Sequence, residues 1–306
     1  KNPLTPIQLN TQRLKKKYFE DKKSFNKIFE ESIDIISQEV EGMKDLINEF
    51  LRFARMPAPS PKQNSLHKII DSVYTLYKNN KKNIRSRSSA IIIKGTNYIL
   101  IDTSPDLKYQ LLSNKIKNIS SVILTHEHAD QTNGLFELRP IFWRHKKKIN
   151  IYGDTHTIKL INKRHDYLFK KTGSYPPIFK SNIIKSKFSL GESNEKVFFK
   201  SIKVRHGKIN SLAYIFEKTA YISDTNDLSI IKMDEFKNLK YLIIDCLKFK
   251  KHPSHFTLKE SLLVHQKLKP KKTILTNLNH DLDYNYLIKI LPRDVVPAYD
   301  GLKISL

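Results

Sequence analysis

The sequence predicts an α+β protein in which a helical segment precedes a layered domain of short strands and helices. Two observations predict this order. Over residues 4–50, apolar residues recur at spacings of three and four, which is the period of an α-helix. After residue 79, short apolar runs bounded by turn residues alternate with helical patterns, as in a layered strand-and-helix domain.

The first segment predicts two helices with apolar stripes. The stripe of the first helix consists of Leu4, Ile7, Thr11, Leu14 and Tyr18. The stripe of the second helix has the heptad spacing of a coiled-coil seam and consists of Phe29, Ile33, Ile36, Val40, Met43, Ile47 and Phe50. The polar run EDKKS predicts the turn between the helices, and MPAPSP predicts the end of the second helix. Two antiparallel helices with exposed seams are expected to dimerise into a four-helix bundle.

This segment resembles the dimerisation and phosphotransfer domain of sensor histidine kinases of the nitrogen-regulation type. The resemblance rests on KNPLTPIQLNTQRL and INEFLRFARMPAP, and it covers residues 1–78. It implies a homodimer through the N-terminal helices. The phosphoacceptor histidine of that family would lie just upstream of Lys1, His67 is outside the motif, and no glycine-rich ATP-binding boxes follow. The segment is therefore interpreted as a dimer scaffold without the kinase chemistry.

The second segment predicts many short strands and a few helices. Strands are expected in AIII, YILIDTS, SSVIL, INIYG, VFFKSIKVRHG, LAYIFE, TAYISDT, YLIIDCL and TILTNL, with KGTN as the turn between the first two. Helices are expected in DLKYQLLSNK, in residues 156–171, after Phe256 and in YNYLIKIL. This alternation predicts an α/β layered domain.

Composition narrows the class of protein. A chain of 306 residues is long enough for two domains. The single cysteine, Cys246, excludes an internal disulfide framework and predicts a reducing, cytoplasmic compartment. No window approaches the roughly 18 apolar residues of a membrane span, and no secretory signal pattern is expected.

The charge of the chain is strongly positive, at +25. Residues 1–80 contain 14 Lys/Arg and 10 Asp/Glu, so the remaining residues contain 41 and 20. A basic surface favours phosphate-rich partners such as nucleotides or RNA. A general abundance of lysine explains the same charge without a partner, so nucleic acid is only a weakly supported partner at this point.

The most informative stretch is LTHEHADQTNG, which follows the apolar run SSVI. His126, His128 and Asp130 alternate, so their side chains lie on one side of an extended or tightly turning backbone. Two imidazoles and a carboxylate in this arrangement suit a divalent metal. Glu127 points away by the same alternation. Gln131, at the next position, offers only a neutral amide oxygen.

Further polar clusters follow predicted strands. They are VRHG with His206, YISDT with Asp224, IIDCLKFKKHPSHFT with Asp245, His252 and His255, and LTNLNHDLDY with Asn277, His280, Asp281 and Asp283. A single histidine or aspartate after a strand is commonly a surface or turn residue. Their joint occurrence with HEHAD at strand ends, where α/β proteins collect catalytic groups, predicts one site.

Together these clusters resemble the metallo-β-lactamase superfamily. The closer likeness is to its phosphodiesterase branch, which includes phosphoribosyl cyclic phosphodiesterase and, more remotely, tRNase Z. The matching stretches are THEHADQTNGLFELRP, VRHG, YISDT, DCLKFKKHPSHFT, LTNLNHDLDY and LPRDVVPAYDGL. The resemblance covers residues 79–306 and implies an αββα sandwich with the metal at the edge of two sheets. The kinase-like hairpin occupies the place of the usual glycine-rich start, so the first strand of the family is expected to be missing.

The resemblance implies a first metal site that is complete in this chain. His126, His128 and His206 would be its ligands, with Asp224 as a bridging ligand. The expected ion is Zn²⁺ or Mn²⁺.

The second metal site of the family is expected to be weakened. Asp130 is present, but Gln131 and Asn277 stand at two positions where the family carries histidine. Amide oxygens are poor ligands for zinc and suit harder ions better. His280, three residues beyond Asn277, is a candidate substitute ligand.

The implied reaction is metal-assisted hydrolysis of a small cyclic or nucleotide-like phosphodiester. Asp130 would orient or deprotonate the attacking water. His255, with His252 as the alternative, would stabilise the developing charge or protonate the leaving oxygen. The candidates for phosphate binding, each with a plain surface role as the alternative, are Arg85, Arg87 and Arg139.

Two other functions stay open from the sequence. One is a signalling and dimerisation module derived from a sensor kinase with a non-catalytic metal-binding domain. The other is a degenerate binding protein, suggested by the amides Gln131 and Asn277. Metal content together with a phosphodiesterase assay separates both from the enzyme.

Overall fold

A computed structural model of the chain describes residues 4–20, 22–54 and 80–306. The chain divides into two compact units, Lys1–Ile69 and Ile70–Leu306. The predicted domain boundary after residue 78, the MPAPSP run and His67 all lie outside the described residues. The boundary at residue 78 therefore stays a prediction.

The first unit contains two antiparallel helices, α1 (Leu4–Glu20) and α2 (Lys22–Ala54). The rings of Tyr18 and Phe25 meet edge-on near the turn at 5.6 Å, and Arg13 lies 3.6 Å from Glu31 farther along the pair. Both helices lie where the apolar spacing predicts them, and the polar run EDKKS spans the end of α1 and the start of α2. None of the described helices combines the length and the apolarity needed to cross a membrane.

The second unit is built around two sheets. Its strands are β1 (Ala90–Lys94), β2 (Asn97–Ile101), β3 (Ser121–Ile123), β4 (Ile149–Gly153), β5 (Phe179–Ile183), β6 (Lys187–Leu190), β7 (Val197–His206), β8 (Ile209–Phe216), β9 (Thr219–Ile222), β10 (Tyr241–Asp245), β11 (Lys272–Thr276) and β12 (Val295–Pro297). The first sheet has the order β1-β2-β3-β4-β5, and the second has the order β12-β11-β10-β9-β8-β7-β6. Pairing is parallel from β2 to β5 and from β9 to β12, and antiparallel elsewhere.

Helices cover the outer faces of both sheets. They are α3 (Leu107–Ser113), α4 (Ala129–Thr132), α5 (Arg139–His145), α6 (Thr155–Arg164), α7 (Asp166–Phe169), α8 (Leu258–Leu268) and α9 (Tyr284–Ile290). The start of α8 is fixed by a capping box, in which Thr257 and Glu260 each accept a backbone N–H of the other. The predicted helix at 156–171 is two helices, because the chain leaves helical geometry at His165.

Three buried clusters define the layers. Alternation along β2 sends Ile99 and Ile101 into the cluster between the sheets, where they meet residues of β8 such as Tyr214. Leu100, between them, joins the cluster under the helices of the first sheet. A third cluster lies between the second sheet and α8 and α9, and includes Val264. The second unit is thus an αββα sandwich, as predicted.

Strands β5, β6 and β12, which were not predicted, share one property. Each is the last strand of its sheet in the described residues. An edge strand is covered on fewer sides, so it needs no apolar run, and FKSNI and KFSL carry lysine and polar residues instead. The sequence signal is therefore weak for polar edge strands such as β5 and β6, whereas the edge strand β1 carries an apolar run and was predicted.

Candidate metal centre

The predicted site residues follow strands at one edge of the two sheets. His126 and His128 lie in the loop between β3 and α4, and His206 is the last residue of β7. Asp224 follows β9, and Asn277 follows β11. Parallel strands end on the same edge of a sheet, so residues distant in sequence meet there.

Three imidazole rings converge at this edge. The ring centroids of His126, His128 and His206 are 4.6, 5.0 and 5.1 Å apart, and one nitrogen from each ring lies within 4.8 Å of the others. The Nε2 atom of His206 is 3.3 Å from Nδ1 of His128. The Nε2 atom of His126 is buried and has no hydrogen-bond partner. A buried nitrogen without a partner is costly unless a ligand satisfies it.

Outer contacts fix which nitrogen of His126 faces the centre. Thr125 donates its backbone N–H and its hydroxyl to the two carboxylate oxygens of Asp102, at 2.7 and 2.9 Å. The hydroxyl oxygen of Thr125 is also 3.0 Å from Nδ1 of His126. Because the hydroxyl proton goes to Asp102, Nδ1 of His126 carries the proton and donates it to Thr125. The lone pair of His126 is thereby placed on Nε2, which faces the other two rings.

His206 is oriented in the same way from the other sheet. Its Nδ1 donates to the backbone oxygen of Ser254 at 2.8 Å, which leaves Nε2 free for the centre. Gly207, the next residue, has φ +60°, and a Cβ there would lie 2.9 Å from Cβ of Ser254. Glycine therefore allows both the turn after β7 and the close approach of Ser254.

The electrostatic setting keeps two of these imidazoles neutral. Burial, with a smaller contribution from neighbouring imidazoles, lowers the pKa of His126 to about 2 and that of His206 to about 4. Neutral imidazoles are the form that coordinates a metal. Three converging imidazole nitrogens, one of them buried without a partner, fit a divalent ion with open coordination positions.

The amides lie on the other side of the centre. Gln131 is fully buried, and its Nε2 lies 3.2 Å from Oδ2 of Asp224 and 3.4 Å from Oδ2 of Asp130. Asn277 places Nδ2 at 3.4 Å from Oδ1 of Asp224 and at the same distance from Oδ1 of Asp245. Both amides therefore present N–H donors to the carboxylates. Their N–H groups act as hydrogen-bond donors here, while Oε1 of Gln131 is buried and has no hydrogen-bond partner among the described residues.

Asp245 and His255 form a pair next to the amides. Nδ1 of His255 is 2.8 Å from Oδ2 of Asp245 and 3.8 Å from Oδ1 of Asp224. Burial opposes protonation of His255, but the hydrogen bond and charge of Asp245, with the charge of Asp224, outweigh it and raise the pKa of His255. Burial, and then the charge of Asp245, raises the pKa of Asp224 to about 7.

Residues 97–277 match the family described as the Beta-lactamase superfamily domain, which is more than half of the chain. This chain belongs to the β-lactamase superfamily. Residues 1–59 match the His Kinase A (phospho-acceptor) domain. Both resemblances inferred from the sequence are thus confirmed.

Two curated relatives represent the two units. The octanoyltransferase of Porphyromonas gingivalis is 30% identical over 224 residues, which is 72% of this chain and 44% of that protein. The nitrogen regulation protein NtrY of Azorhizobium caulinodans is 40% identical over 70 residues, which is 23% of this chain and 9% of that protein. The chain spans less than half the length of either relative.

Solved structures agree with the superfamily fold. A diphosphatase from the PhnP family shares 28% identity, with a TM-score of 0.65 over 72% of this chain and 84% of that one. The short form of human tRNase Z shares 17% identity, with a TM-score of 0.54 over 72% of this chain and 92% of that one, and so supports the fold alone. Membership in the superfamily and the diphosphatase support a metal-dependent hydrolase, for which the fold implies a divalent metal.

The remaining predicted residues lie at different places in this superfamily fold. His252 has its ring 5.1 Å from that of His255, and its Nδ1 lies 3.3 Å from the hydroxyl of Ser254. His280 is exposed and contacts Asn279, its neighbour in the chain. It is not among the residues that the structure groups around the three histidines.

The three predicted arginines also differ in their surroundings. Arg85 donates to the backbone oxygens of Asn279 and Leu282 and so supports the loop beyond Asn277. The backbone N–H of Arg87 donates to Asp106 at 2.8 Å. Arg139 lies among aromatic rings at the start of α5. Phosphate binding by these arginines stays a prediction.

Sequence reasoning assigned no role to three residues of the centre, Asp102, Thr125 and Asp245. Asp245 was visible in IIDCL, but nothing in the sequence shows that it faces His255. Asp102 in LIDTS lies 24 residues before His126, and its role depends on the pairing of β2 with β3. A contact between neighbouring strands leaves no spacing pattern in the sequence.

Proposed function

We propose that this chain is a metal-dependent phosphodiesterase that acts on a small cyclic or nucleotide-like phosphodiester. The observation that carries the proposal is the cluster of three imidazoles with the unpartnered, buried Nε2 of His126. His126, His128 and His206 would hold a zinc or manganese ion, with Asp224 as the bridging carboxylate that the family resemblance implies. A bound divalent ion lowers the pKa of a coordinated water to roughly 7 and polarises a phosphoryl oxygen.

The surrounding side chains supply the proton chemistry. Asp130 is half-buried on α4 and would accept the proton of the attacking water. Burial opposes protonation of His255, but the hydrogen bond and charge of Asp245 raise its pKa and favour the protonated form, so His255 would donate a proton to the leaving oxygen. The roles of Asp130 and His255 as base and acid follow from this difference in surroundings. His252 is the alternative acid.

We further propose that one ion is held tightly and that the second site of the superfamily is weak. Buried carboxylates need either a cation or hydrogen-bond donors. The N–H groups of Gln131 and Asn277 already serve Asp224, at 3.2 and 3.4 Å. An ion entering between these groups would displace both donors, and the amides would offer only oxygens in exchange. His255, the imidazole grouped with Asp224, has its Nδ1 hydrogen-bonded to Asp245.

The decisive experiment combines metal content with turnover. We expect about one zinc or manganese ion per chain by elemental analysis, and hydrolysis of bis(p-nitrophenyl) phosphate that a chelator abolishes. His206→Ala should remove both the bound metal and the hydrolysis. His145→Ala, which changes an exposed histidine at the end of α5, should change neither. Bound metal without hydrolysis of any phosphodiester would favour a binding protein, and absence of metal would reject the proposal.

We also propose that the chain forms a homodimer through α2. Four seam residues are 40–52% exposed in the single chain, namely Phe29, Ile33, Val40 and Ile47. A row of exposed apolar side chains at heptad spacing is favourable when a second helix pair covers it. Light scattering of the whole chain should give a dimer, and Ile33→Lys with Val40→Lys should give a monomer. The same charge change at Ser37 and Gln38, which are exposed between seam positions, should leave the dimer intact.

A further inference from the structure

A basic and aromatic face lies on the second unit, outside the metal centre. Residues 81–306 contain 41 Lys/Arg and 20 Asp/Glu, of which residues 139–180 contain 11 and 2. The net charge is thus +9 over the 42 residues of this segment, compared with +12 over the other 184 residues of 81–306. A uniform abundance of lysine does not produce this difference. One of the two acids, Asp154, caps α6, and the other, Asp166, lies 3.9 Å from Lys170.

A groove of about 640 Å³ runs along this face between β5 and the pair α6 and α7. Its lining includes Lys148, Lys163, Lys170, Lys180, Phe169 and Phe179. In the described part of the chain, Lys148, Lys163 and Lys180 have no carboxylate within ion-pair distance. Three unpaired ammonium groups around one groove fit a ligand with several phosphates.

Exposed aromatic rings of the same basic segment and of Phe136 surround Arg139. The guanidinium of Arg139 lies 5.8 Å from the ring of Phe136, 5.9 Å from that of Trp143 and 5.5 Å from that of Tyr175. These rings are 46%, 39% and 62% exposed, so each keeps a free surface. Lys146 lies 4.2 Å from the centre of the Trp143 ring. Such rings, separated by cations, are platforms on which unpaired bases stack.

The groove, the rings and the metal loop adjoin one another. Lys170, which lines the groove, and Tyr175 are five residues apart in the chain. A tight turn connects them, in which the backbones of Thr172 and Tyr175 exchange two hydrogen bonds. Arg164, at the end of α6, donates to the backbone oxygen of Glu127 at 2.6 Å. Glu127 lies between the metal-site residues His126 and His128, so the helix that lines the groove touches the loop of the centre.

We propose that this face binds single-stranded nucleic acid, with phosphates along the lysines of the groove and bases on Trp143 and Tyr175. The combination of unpaired cations with exposed rings selects this ligand. A duplex hides its bases, and a purely anionic polymer leaves the rings unused. This binding is independent of the proposed hydrolysis, because none of its residues is in the metal centre.

The test uses the whole chain and a labelled 12-nucleotide RNA of mixed sequence, in a chelator so that binding is measured without turnover. Trp143 is the single tryptophan of the chain, so its fluorescence reports on this face alone. We expect RNA to quench that fluorescence. We also expect the logarithm of the binding constant to fall linearly with that of the salt concentration.

Variants separate the phosphate part from the base part. Lys148→Gln, Lys163→Gln and Lys180→Gln together should reduce the salt slope by about 2, since each phosphate contact on a single strand contributes about 0.7. The same change at Lys259, Lys267 and Lys289, exposed on α8 and α9, should leave the slope unchanged. Tyr175→Ala should weaken binding by roughly fivefold to 150-fold, and Tyr175→Phe should retain it.

Three results would overturn the proposal. The first is an equal loss of slope in the groove variant and its control, which would mean general charge attraction. The second is heparin binding as tight as RNA binding without quenching of Trp143, which would mean a polyanion surface without base contacts. The third is quenching by anionic lipid vesicles but not by RNA. RNA binding that persists in metal-free His206→Ala would separate this face from the metal centre even if hydrolysis is never found.

Discussion

The two sides of the centre are built on the same sheet edge but satisfy their buried polar groups differently. On the histidine side, imidazole lone pairs converge and Nε2 of His126 has no partner. On the amide side, Gln131 and Asn277 direct N–H groups at Asp224, which therefore has hydrogen-bond donors. The first side presents lone pairs that suit a cation, whereas on the second side N–H donors face the carboxylate and Oε1 of Gln131 is without a partner among the described residues.

On the proposal of one tightly held ion, the backbone of a metal site does not by itself fix the number of metals. The fold places Gln131 and Asn277 at the centre, just as it places His126 there. The donor atom then decides what is bound, since a neutral imidazole offers a lone pair and an amide facing a carboxylate offers hydrogens. Changes to either side should therefore have separate effects.

The largest effect is expected from His128→Ala on the histidine side. It leaves two imidazoles with the carboxylate Asp224, an open set that holds an ion poorly. Metal affinity should fall by more than about 100-fold, because even outer contacts cost 10–100-fold when lost. Titration with zinc in competition with a chelating dye measures the affinity. Full occupancy in this variant would show that the three histidines are not the site.

A smaller loss is expected from Thr125→Val, which removes the hydroxyl between Asp102 and Nδ1 of His126. The imidazole then loses the contact that places its proton, so metal affinity should fall by about 10–100-fold. The free energy of unfolding should also drop, by roughly 1–3 kcal/mol, because a buried carboxylate oxygen loses its donor. Thr125→Ser keeps the hydroxyl and should keep both properties. If Thr125→Val and Thr125→Ser lost metal affinity and stability equally, the cause would be altered packing and not the lost hydrogen bond.

The comparison also shows what the sequence can predict. His126, His128 and Asp130 alternate along one short stretch of sequence, and His206 ends a clear apolar strand. The histidine side of the centre could therefore be predicted from local sequence patterns. The direction of the Gln131 amide could not, because the same residue serves as an oxygen ligand or as an N–H donor. Its partner Asp224 lies 93 residues away, and only the packed sheets show that carboxylates face the amide.

The same limit applies to the fold. Central strands such as β3 and β10 are buried on both faces and appear as apolar runs. Edge strands β5 and β6 carry polar residues and were missed, and so was the groove beside β5. The basic segment was visible as a charge run, but Tyr175 joins Trp143 only in the folded chain.

The smallest expected effect is that of the double variant Gln131→His with Asn277→His. It should raise the number of tightly bound ions from about one to about two per chain. Neutral imidazoles would replace the amide donors and supply lone pairs beside Asp130 and Asp224. The backbone admits the second change, since Asn277 has φ 59° and histidine is among the residues that adopt this region. Hydrolysis should rise as well, because two ions hold both the attacking and the leaving oxygen.

A matched pair isolates the cause of this change. Gln131→Met with Asn277→Leu removes the same amides without adding ligands, so it should keep about one ion and lose stability, both through the unsatisfied Asp224 and through the strain of leucine at φ 59°. Elemental analysis after extensive dialysis counts the ions in all three proteins. Two ions in the unmodified chain, unchanged by the histidine pair, would show that the amide side already binds a metal. The N–H groups would then have to turn away from Asp224 when it does.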